Sequence, residues 1–195
     1  MTPHIDSFSE IASGSFLVYK RLCYIDARGK KRFWEAVDRK CADRTSGQSH
    51  AVFIVAKIVP DNEIILVRQF RPPAGKLMVE FPAGLIDPGE NAATTAIREL
   101  YEETGFDGKV LYTTAGGYSS PGMTGESIVL AAMEIDGSKY PGDMLPGNHQ
   151  EECENIEVFR VKIDALADFI RQMEAEGCGI DSKIYTALAF KTFQW

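Results

Sequence analysis

A single stretch of loop followed by helix constrains this chain more than any other feature of its 195 residues. Residues 84–106, GLIDPGENAATTAIRELYEETGF, begin with a loop rich in glycine and proline and continue into a predicted helix over residues 91–104. Apolar residues recur on one side of that helix, and Gly105 follows it as a predicted C-terminal cap. We therefore expect one side of the helix to pack against a core and the other to carry polar chemistry.

Three glutamates share the polar side of the predicted helix. Glu99, Glu102 and Glu103 are three and four residues apart, which places them on one face. Like charges at this spacing destabilise a helix by about 0.2–0.5 kcal/mol per pair, and the helix dipole disfavours each anion near the C-terminus by about 0.3–1 kcal/mol. The face is either a solvated acidic surface or a site for a hard divalent cation, and its unfavourable position favours the cation site.

Two further charged residues flank these glutamates. Arg98 lies four residues before Glu102 and can pair with it, either as an ordinary surface ion pair or to orient a metal ligand. Glu90 opens the helix, where a negative charge is favourable, and by itself it is interpreted as a capping residue.

Runs of β-branched and aromatic residues predict strands elsewhere in the chain. The predicted strands cover residues 15–25, 31–37, 51–59, 63–70, 77–81, 110–114, 127–135 and 156–161, and the two other helices cover residues 164–176, capped by Asp164, and 181–193. This order favours an α+β fold with a mixed sheet between helices and an N-terminal antiparallel β-hairpin. We expect residues 1–46 to form an N-terminal arm and hairpin, with residues 1–14 frayed or extended, and residues 47–195 to form the main domain.

The pattern within residues 84–106 resembles the Nudix hydrolase box at every defined position. The matching residues, at the spacing of the box, are Gly84, Glu90, Arg98, Glu99, Leu100, Glu102, Glu103, Gly105 and Phe106. The resemblance implies an α/β/α sandwich and hydrolysis of a nucleoside diphosphate linked to another moiety. It makes residues 47–195 the expected Nudix hydrolase domain.

The same resemblance implies a metal site. The implied ligands are Glu99, Glu102, Glu103 and the backbone carbonyl of Ala83, with Glu102 and Glu103 also catalytic. They would bind two or three Mg²⁺ ions per site, with Mn²⁺ as the alternative. Gly84, Glu90 and Arg98 would then be supporting residues that order the loop and the glutamates.

Segments outside the box resemble the ADP-ribose and ADP-sugar pyrophosphatase subfamily. They include residues 69–73 (QFRPP) and 80–84 (EFPAG), and the likeness extends over roughly residues 15–190. It implies Mg²⁺-dependent hydrolysis of ADP-ribose or a related ADP-sugar, giving AMP and ribose 5-phosphate or a sugar phosphate. Two alternatives stay open: a Nudix module that senses ADP-ribose without hydrolysis, and a hydrolase of other nucleoside diphosphate derivatives such as oxidised nucleotides.

The early hairpin carries an aromatic residue that can stack a base. The face of Trp34 can stack adenine, or the ring can simply pack on its own sheet. The subfamily resemblance implies that Trp34 and Glu35 line an adenine pocket, with Phe16 as a second stacking residue. It also implies a homodimer in which the N-terminal hairpin is exchanged between the two subunits.

Further contacts complete the expected site. Arg39 and Arg71 are candidate diphosphate ligands because a guanidinium group matches phosphate oxygens, and Glu80 is a supporting residue. The resemblance implies substrate contacts for Leu85 and Ser120.

The acidic run at residues 151–154 is either a solvated loop or, by the resemblance, the source of a glutamate for the metals and the attacking water. Glu154 aligns best with that catalytic and metal-binding role. Glu151 and Glu152 are the alternatives.

The net charge of −7 argues against non-specific binding to nucleic acid or an anionic membrane. Eight glutamates in or near the expected site account for it: Glu80, Glu90, Glu99, Glu102, Glu103, Glu151, Glu152 and Glu154. Removing those eight charges leaves +1, so the acidity is concentrated where divalent cations would offset it. With neither a secretory leader nor an apolar run of membrane-spanning length, we expect a cytoplasmic protein.

Overall fold

The computed structural model describes residues 1–40, 49–147, 149 and 155–192. Contacts divide the chain into two compact units. Unit 1 comprises Met1–His50 with Gly116–Ile128, and unit 2 comprises Ala51–Ala115 with Val129–Trp195. Among the described residues, no helix is both long enough and apolar enough to span a bilayer.

Unit 1 contains a three-stranded antiparallel sheet in chain order. Its strands are β1 (His4–Ser13), β2 (Leu17–Ile25) and β3 (Lys31–Arg39). The turn between β2 and β3 is held by the Asp26 carboxylate, which accepts hydrogen bonds from the Arg28 and Lys30 amides at 2.9 and 2.8 Å. Residues 1–14, expected to be frayed or extended, are extended: residues 4–13 form β1, which pairs with β2 over most of its length, and each of its ten residues is exposed.

The register of β2 with β3 decides where the hairpin side chains point. Trp34 lies opposite Leu22, and Glu35 lies opposite Arg21. Because successive strand residues point to opposite faces, Trp34 and Glu35 project from different sides of the sheet.

Unit 2 is built around a mixed sheet. Its strands are β4 (Ala51–Val59), β5 (Glu63–Arg71), β6 (Lys76–Glu80), β7 (Ala83–Leu85), β8 (Lys109–Thr113), β10 (Ser127–Asp136, whose first two residues belong to unit 1), β11 (Glu157–Lys162) and β12 (Gly179–Ile180). The order is β12-β6-β5-β4-β10-β8, with β11 pairing β5 and β7 pairing β4. β12 runs parallel to β6, whereas β5 is antiparallel to both β6 and β11. The two-residue β9 (Gly117–Tyr118), in unit 1, pairs with the first residues of β10.

Alternation along the central strands produces a core on each side of the sheet. Ile65 of β5 belongs to the cluster that includes Leu100 of helix α1 (Ala92–Thr104). Its neighbour Leu66 belongs to the cluster that includes Ile170 of α2 (Leu166–Ala175) and Ile184 of α3 (Ser182–Thr192). The α+β prediction, with a mixed sheet between helices, is therefore confirmed.

The N-caps of α1 and α2 differ from the residues that the sequence predicts. The N-cap of α1 is Asn91, whose side chain accepts from the Ala93 and Thr94 amides, and Glu90 instead accepts from the Thr95 hydroxyl. Helix α2 begins after a 3₁₀ turn at Ile163–Ala165, so its N-cap is Ala165 rather than Asp164. In each case the next residue along the chain occupies the cap position, a difference within the one or two residues by which helix ends vary.

Candidate active site

In the loop–helix segment, the side chain of Glu99 lies directly against the backbone of β7. A Cβ atom built on Gly84 would lie 1.9 Å from Cδ of Glu99. Only glycine leaves room for the Glu99 side chain at this point of β7. Gly84 therefore determines where the Glu99 carboxylate lies.

A second glutamate is held by the residue that precedes Gly84. The Ala83 amide donates to Oε2 of Glu103 at 3.1 Å, and the Glu103 residue is only 4% exposed. Burying a carboxylate is costly unless its oxygens find donors, so this backbone hydrogen bond stabilises an otherwise unfavourable position. Ala83 and Glu103, both expected at the metal site, are thus in direct contact.

Arg98 holds the remaining carboxylates of the segment. Its guanidinium donates to Glu99 at 2.8 Å, to Glu102 at 3.0 Å and to Glu90 at 3.0 Å. The hydrogen bond to Glu90, ahead of those to Glu102 and Glu99, raises the pKa of Arg98 above its ordinary value. Arg98, helped by the Thr95 hydroxyl, holds the pKa of Glu90 below its ordinary value, so both groups stay charged at neutral pH.

These residues border a cavity of about 300 Å³ in unit 2. Its described lining consists of Ala83, Gly84, Leu85, Asp87, Arg98, Glu99 and Glu102. Arg98 is the one cation among these described residues and faces three carboxylates, so the cavity has a negative excess. An open, oxygen-lined and anionic cavity suits Mg²⁺ or Mn²⁺.

Binding of a metal ion at this cavity requires ligands in addition to these protein side chains. Among the residues that the structure describes, no three His, Cys, Asp or Glu side chains converge as a closed ligand group. Mg²⁺ commonly keeps several waters and binds through one or two carboxylates together with substrate phosphates. The donor set therefore fits a cation that is shared with an anionic substrate.

The expected adenine-binding residues lie in unit 1. A cavity of about 550 Å³ there is lined by Arg21, Phe33, Trp34 and Glu35 among the described residues. Trp34 is 52% exposed, and its indole N–H donates to the Gly122 carbonyl at 2.9 Å. The Tyr19 hydroxyl donates to Glu35, and that hydrogen bond raises the pKa of Tyr19. Phe16 is 80% exposed and is not among the described lining residues.

Both candidate phosphate-binding arginines already face a carboxylate. Arg39 donates to Glu126 at 2.7 Å in unit 1. Arg71 lies 2.8 Å from Glu80 in unit 2, on the neighbouring strand. Sequence reasoning missed Glu126, and no local pattern could have revealed it because the pair is 87 residues apart.

Ser120, another expected substrate contact, lies in a tight turn. Its carbonyl accepts from the Met123 and Thr124 amides at 2.9 and 3.0 Å. Leu85 lines the unit 2 cavity, and its carbonyl accepts from Arg98 at 3.4 Å.

The expected loop glutamate, Glu154, lies outside the described residues, as do the alternatives Glu151 and Glu152. The described residue nearest before them along the chain, His149, packs on the end of α1. Its amide donates to the Glu102 carbonyl at 2.9 Å, and its ring stacks on Tyr101 with centroids 4.6 Å apart. Sequence reasoning also missed this contact.

Comparisons with known proteins identify the family. The ADP-ribose pyrophosphatase of Saccharomyces cerevisiae is 33% identical over 90% of this chain and 76% of its own length. The ADP-sugar pyrophosphatase of Mus musculus is 32% identical over 93% of this chain and 84% of its own. The crystal structure of an ADP compounds hydrolase has the same fold, with a TM-score of 0.61 at 20% identity over 88% of this chain and 84% of that one. Because the NUDIX domain pattern also matches residues 48–176, this chain belongs to the Nudix family and is a Nudix hydrolase.

Proposed function

We propose that this chain hydrolyses the pyrophosphate bond of ADP-ribose or a related ADP-sugar, with Mg²⁺, to AMP and ribose 5-phosphate or a sugar phosphate. The observation that carries the proposal is the set of carboxylates ordered by Arg98 and Ala83, with Glu99 seated at Gly84. The names of the yeast and mouse relatives support an ADP-linked substrate.

The residues of unit 2 would hold two or three divalent ions. Glu99, Glu102, Glu103 and the Ala83 carbonyl are the proposed ligands. Bound Mg²⁺, or Mn²⁺ in its place, would neutralise charge on the pyrophosphate and activate water for attack. Arg98 keeps Glu99 and Glu102 oriented, and the Ala83 amide does the same for Glu103. We assign to Glu154 the task of orienting or deprotonating the attacking water.

The residues of unit 1 would bind the nucleotide. The half-exposed ring of Trp34 offers a face for adenine. Glu35 and Arg21, which pair across β2 and β3, line the cavity on the other face of the sheet and would contact the nucleotide from there. Arg39 and Arg71 would bind diphosphate oxygens, and each guanidinium would then exchange or share its present carboxylate partner.

We further propose that the protein is a homodimer that exchanges its N-terminal hairpin. The support lies in β1, whose large apolar residues Ile5, Phe8 and Ile11 are all exposed. A small sheet with apolar side chains open to water gains stability when a second surface covers it.

The deciding experiment measures products directly. Purified protein with ADP-ribose and Mg²⁺ is expected to release AMP and ribose 5-phosphate, identified by mass spectrometry, and chelation of the metal is expected to stop the reaction. Glu99→Gln and Glu103→Gln should each lower kcat by about 100-fold or more, because each removes a metal ligand while keeping side-chain shape.

Glu157→Gln is the matched control. Glu157 pairs with Arg68 on β11 and β5, away from the residues of the box, so the variant should retain parental kcat. Near-parental turnover in Glu99→Gln or Glu103→Gln, or the absence of AMP with either Mg²⁺ or Mn²⁺, contradicts the proposal.

Glu154→Gln should lose turnover and keep substrate binding. If Glu152→Gln is the inactive variant instead, the assignment of the loop glutamate is wrong.

A further inference from the structure

The loop at residues 118–126 lies along β3 and is attached to it by hydrogen bonds at four residues of the strand. The attachments use the side chains of Trp34, Asp38 and Arg39 and the backbone of Val37, and all of them fall within unit 1. They join Trp34 Nε1 to the Gly122 carbonyl (2.9 Å), the Val37 amide to the Met123 carbonyl (2.9 Å), the Gly125 amide to Asp38 (3.2 Å) and Arg39 to Glu126 (2.7 Å).

Within this loop, hydrogen bonds close a turn at the Ser120 carbonyl and join the Glu126 amide to the Thr124 hydroxyl at 3.1 Å. The loop contains Pro121, Gly122 and Gly125, and the internal turn that closes at the Ser120 carbonyl spans only residues 120–124. Gly122 lies inside that turn, two residues from Ser120. An attachment at Gly122 therefore fixes the position of Ser120 as well.

Trp34 makes the attachment with the edge of its ring. The indole N–H lies in the ring plane, whereas stacking uses the ring face, so one side chain can do both at once. Its 52% exposure shows that the hydrogen bond to Gly122 leaves much of the side chain open. Phenylalanine at this position could still stack but could not donate.

We propose that Trp34 is a positioning residue for the 118–126 loop: its indole N–H fixes Gly122 and with it Ser120, the expected substrate contact, and Ser120 discriminates the part of the substrate beyond adenine. Binding of the base and selection of the sugar then depend on one side chain. The proposal rests on the proposed function for the identity of the substrate, whereas the attachment of the loop can be tested without it.

The kinetic test uses variants that separate the two roles. Replacing Trp34 by 3-benzothienylalanine keeps the bicyclic ring and removes only the N–H. Trp34→Phe also removes the N–H, and Trp34→Ala removes ring and donor together. We expect the benzothienyl variant to bind AMP within about twofold of the parent, since its stacking area is retained. The ratio of its kcat/KM for ADP-ribose to its kcat/KM for ADP-glucose should fall about fivefold or more, because the loss of one hydrogen bond has an effect of about that size. Trp34→Ala should lose AMP affinity as well.

A second measurement follows the loop itself. The amides of Met123, Thr124 and Gly125 are all hydrogen-bonded, so hydrogen–deuterium exchange reports whether the loop stays attached. Exchange at these amides should accelerate in the benzothienyl variant and in Trp34→Phe. The amides of Arg28 and Lys30, bound to Asp26 in the β2–β3 turn, should be unchanged and serve as the internal reference.

The two measurements distinguish failure of this inference from failure of the proposed function. If the parent hydrolyses no ADP-sugar, the exchange experiment still decides whether Trp34 holds the loop. Unchanged loop exchange in the benzothienyl variant overturns the positioning role. Accelerated exchange with unaltered sugar preference in an active enzyme overturns the link to specificity.

Discussion

Gly84 and Glu99 occupy a space that can hold only one side chain. The absent Cβ of Gly84 is what allows the Glu99 carboxylate to approach the backbone of β7. At the scale of single residues, the acidic site therefore depends on the lack of a side chain at Gly84 as much as on its carboxylates. In this position Glu99 also accepts a hydrogen bond from its chain neighbour Arg98 at 2.8 Å.

We expect Gly84→Ala to lower activity more than stability. The new methyl group must displace the end of the flexible Glu99 side chain, which costs about 0.5–1.5 kcal/mol of folding free energy if a strained rotamer results. Misplacing a reacting group by about 1 Å can cost about 100-fold in rate, and we expect a loss of that size in kcat. Initial rates with ADP-ribose and urea unfolding measure the two effects.

Gly14→Ala serves as the control, because a Cβ there would meet only the Leu17 carbonyl at 3.8 Å, an ordinary contact. Parental kcat in Gly84→Ala would show that Glu99 does not need its observed position.

The partners of the arginines show where sequence reasoning stops at this scale. Guanidinium chemistry alone identifies Arg39 and Arg71 as suited to phosphate. Their pairing with Glu126 and Glu80 depends on how the 118–126 loop and β6 lie against their neighbours. Contacts between residues far apart in the chain follow from tertiary packing, which local patterns do not encode.

At the scale of elements, helix α1 is stabilised by caps at both ends and destabilised by negative charges in its last turns. Asn91 caps the N-terminus with two hydrogen bonds, and Gly105 caps the C-terminus at φ +73°. Three glutamates near the C-terminal end oppose the helix dipole, and Arg98 offsets part of that cost through Glu99 and Glu102. The caps help to keep a functional but unfavourable charge pattern helical.

We expect Asn91→Ala to reduce the free energy of unfolding by about 1 kcal/mol, because it leaves two helix amides without their acceptor. Urea titration followed by circular dichroism measures the change. Asn91→Asp keeps the accepting oxygen and should retain most of the stability. A loss in Asn91→Asp equal to that in Asn91→Ala would contradict the capping role.

The sequence predicts most helices and strands because their periodicity is local. It misses β1, since residues 4–13 form a strand only through pairing with β2. It also misplaces the caps at Glu90 and Asp164, where the structure uses Asn91 and Ala165.

At the scale of the whole molecule, the exposed apolar residues of β1 bear on assembly. In the proposed homodimer they are covered by a second copy. We expect the parent protein to have twice the 21.6 kDa mass of one chain in sedimentation or light-scattering measurements. Introducing Phe8→Glu together with Ile11→Glu should shift it toward the monomer, since burying these charges in an interface is costly.

Leu111→Glu is the control for that experiment. Leu111 is exposed on β8 in unit 2, so the added charge should leave the mass unchanged. A parent protein that remains monomeric across a concentration series contradicts the dimer.

The hydrogen bond from His149 to the end of α1 has a consequence for how this chain can vary. It joins the amide of His149 to the carbonyl of Glu102, so it contains main-chain atoms alone. Nearly every substitution at either position leaves both atoms in place, and proline at position 149 is the one replacement that removes the donor. The attachment of residue 149 to the end of α1 is thus independent of the side chains at positions 149 and 102, whereas the proposed metal-binding role of Glu102 depends on its side chain.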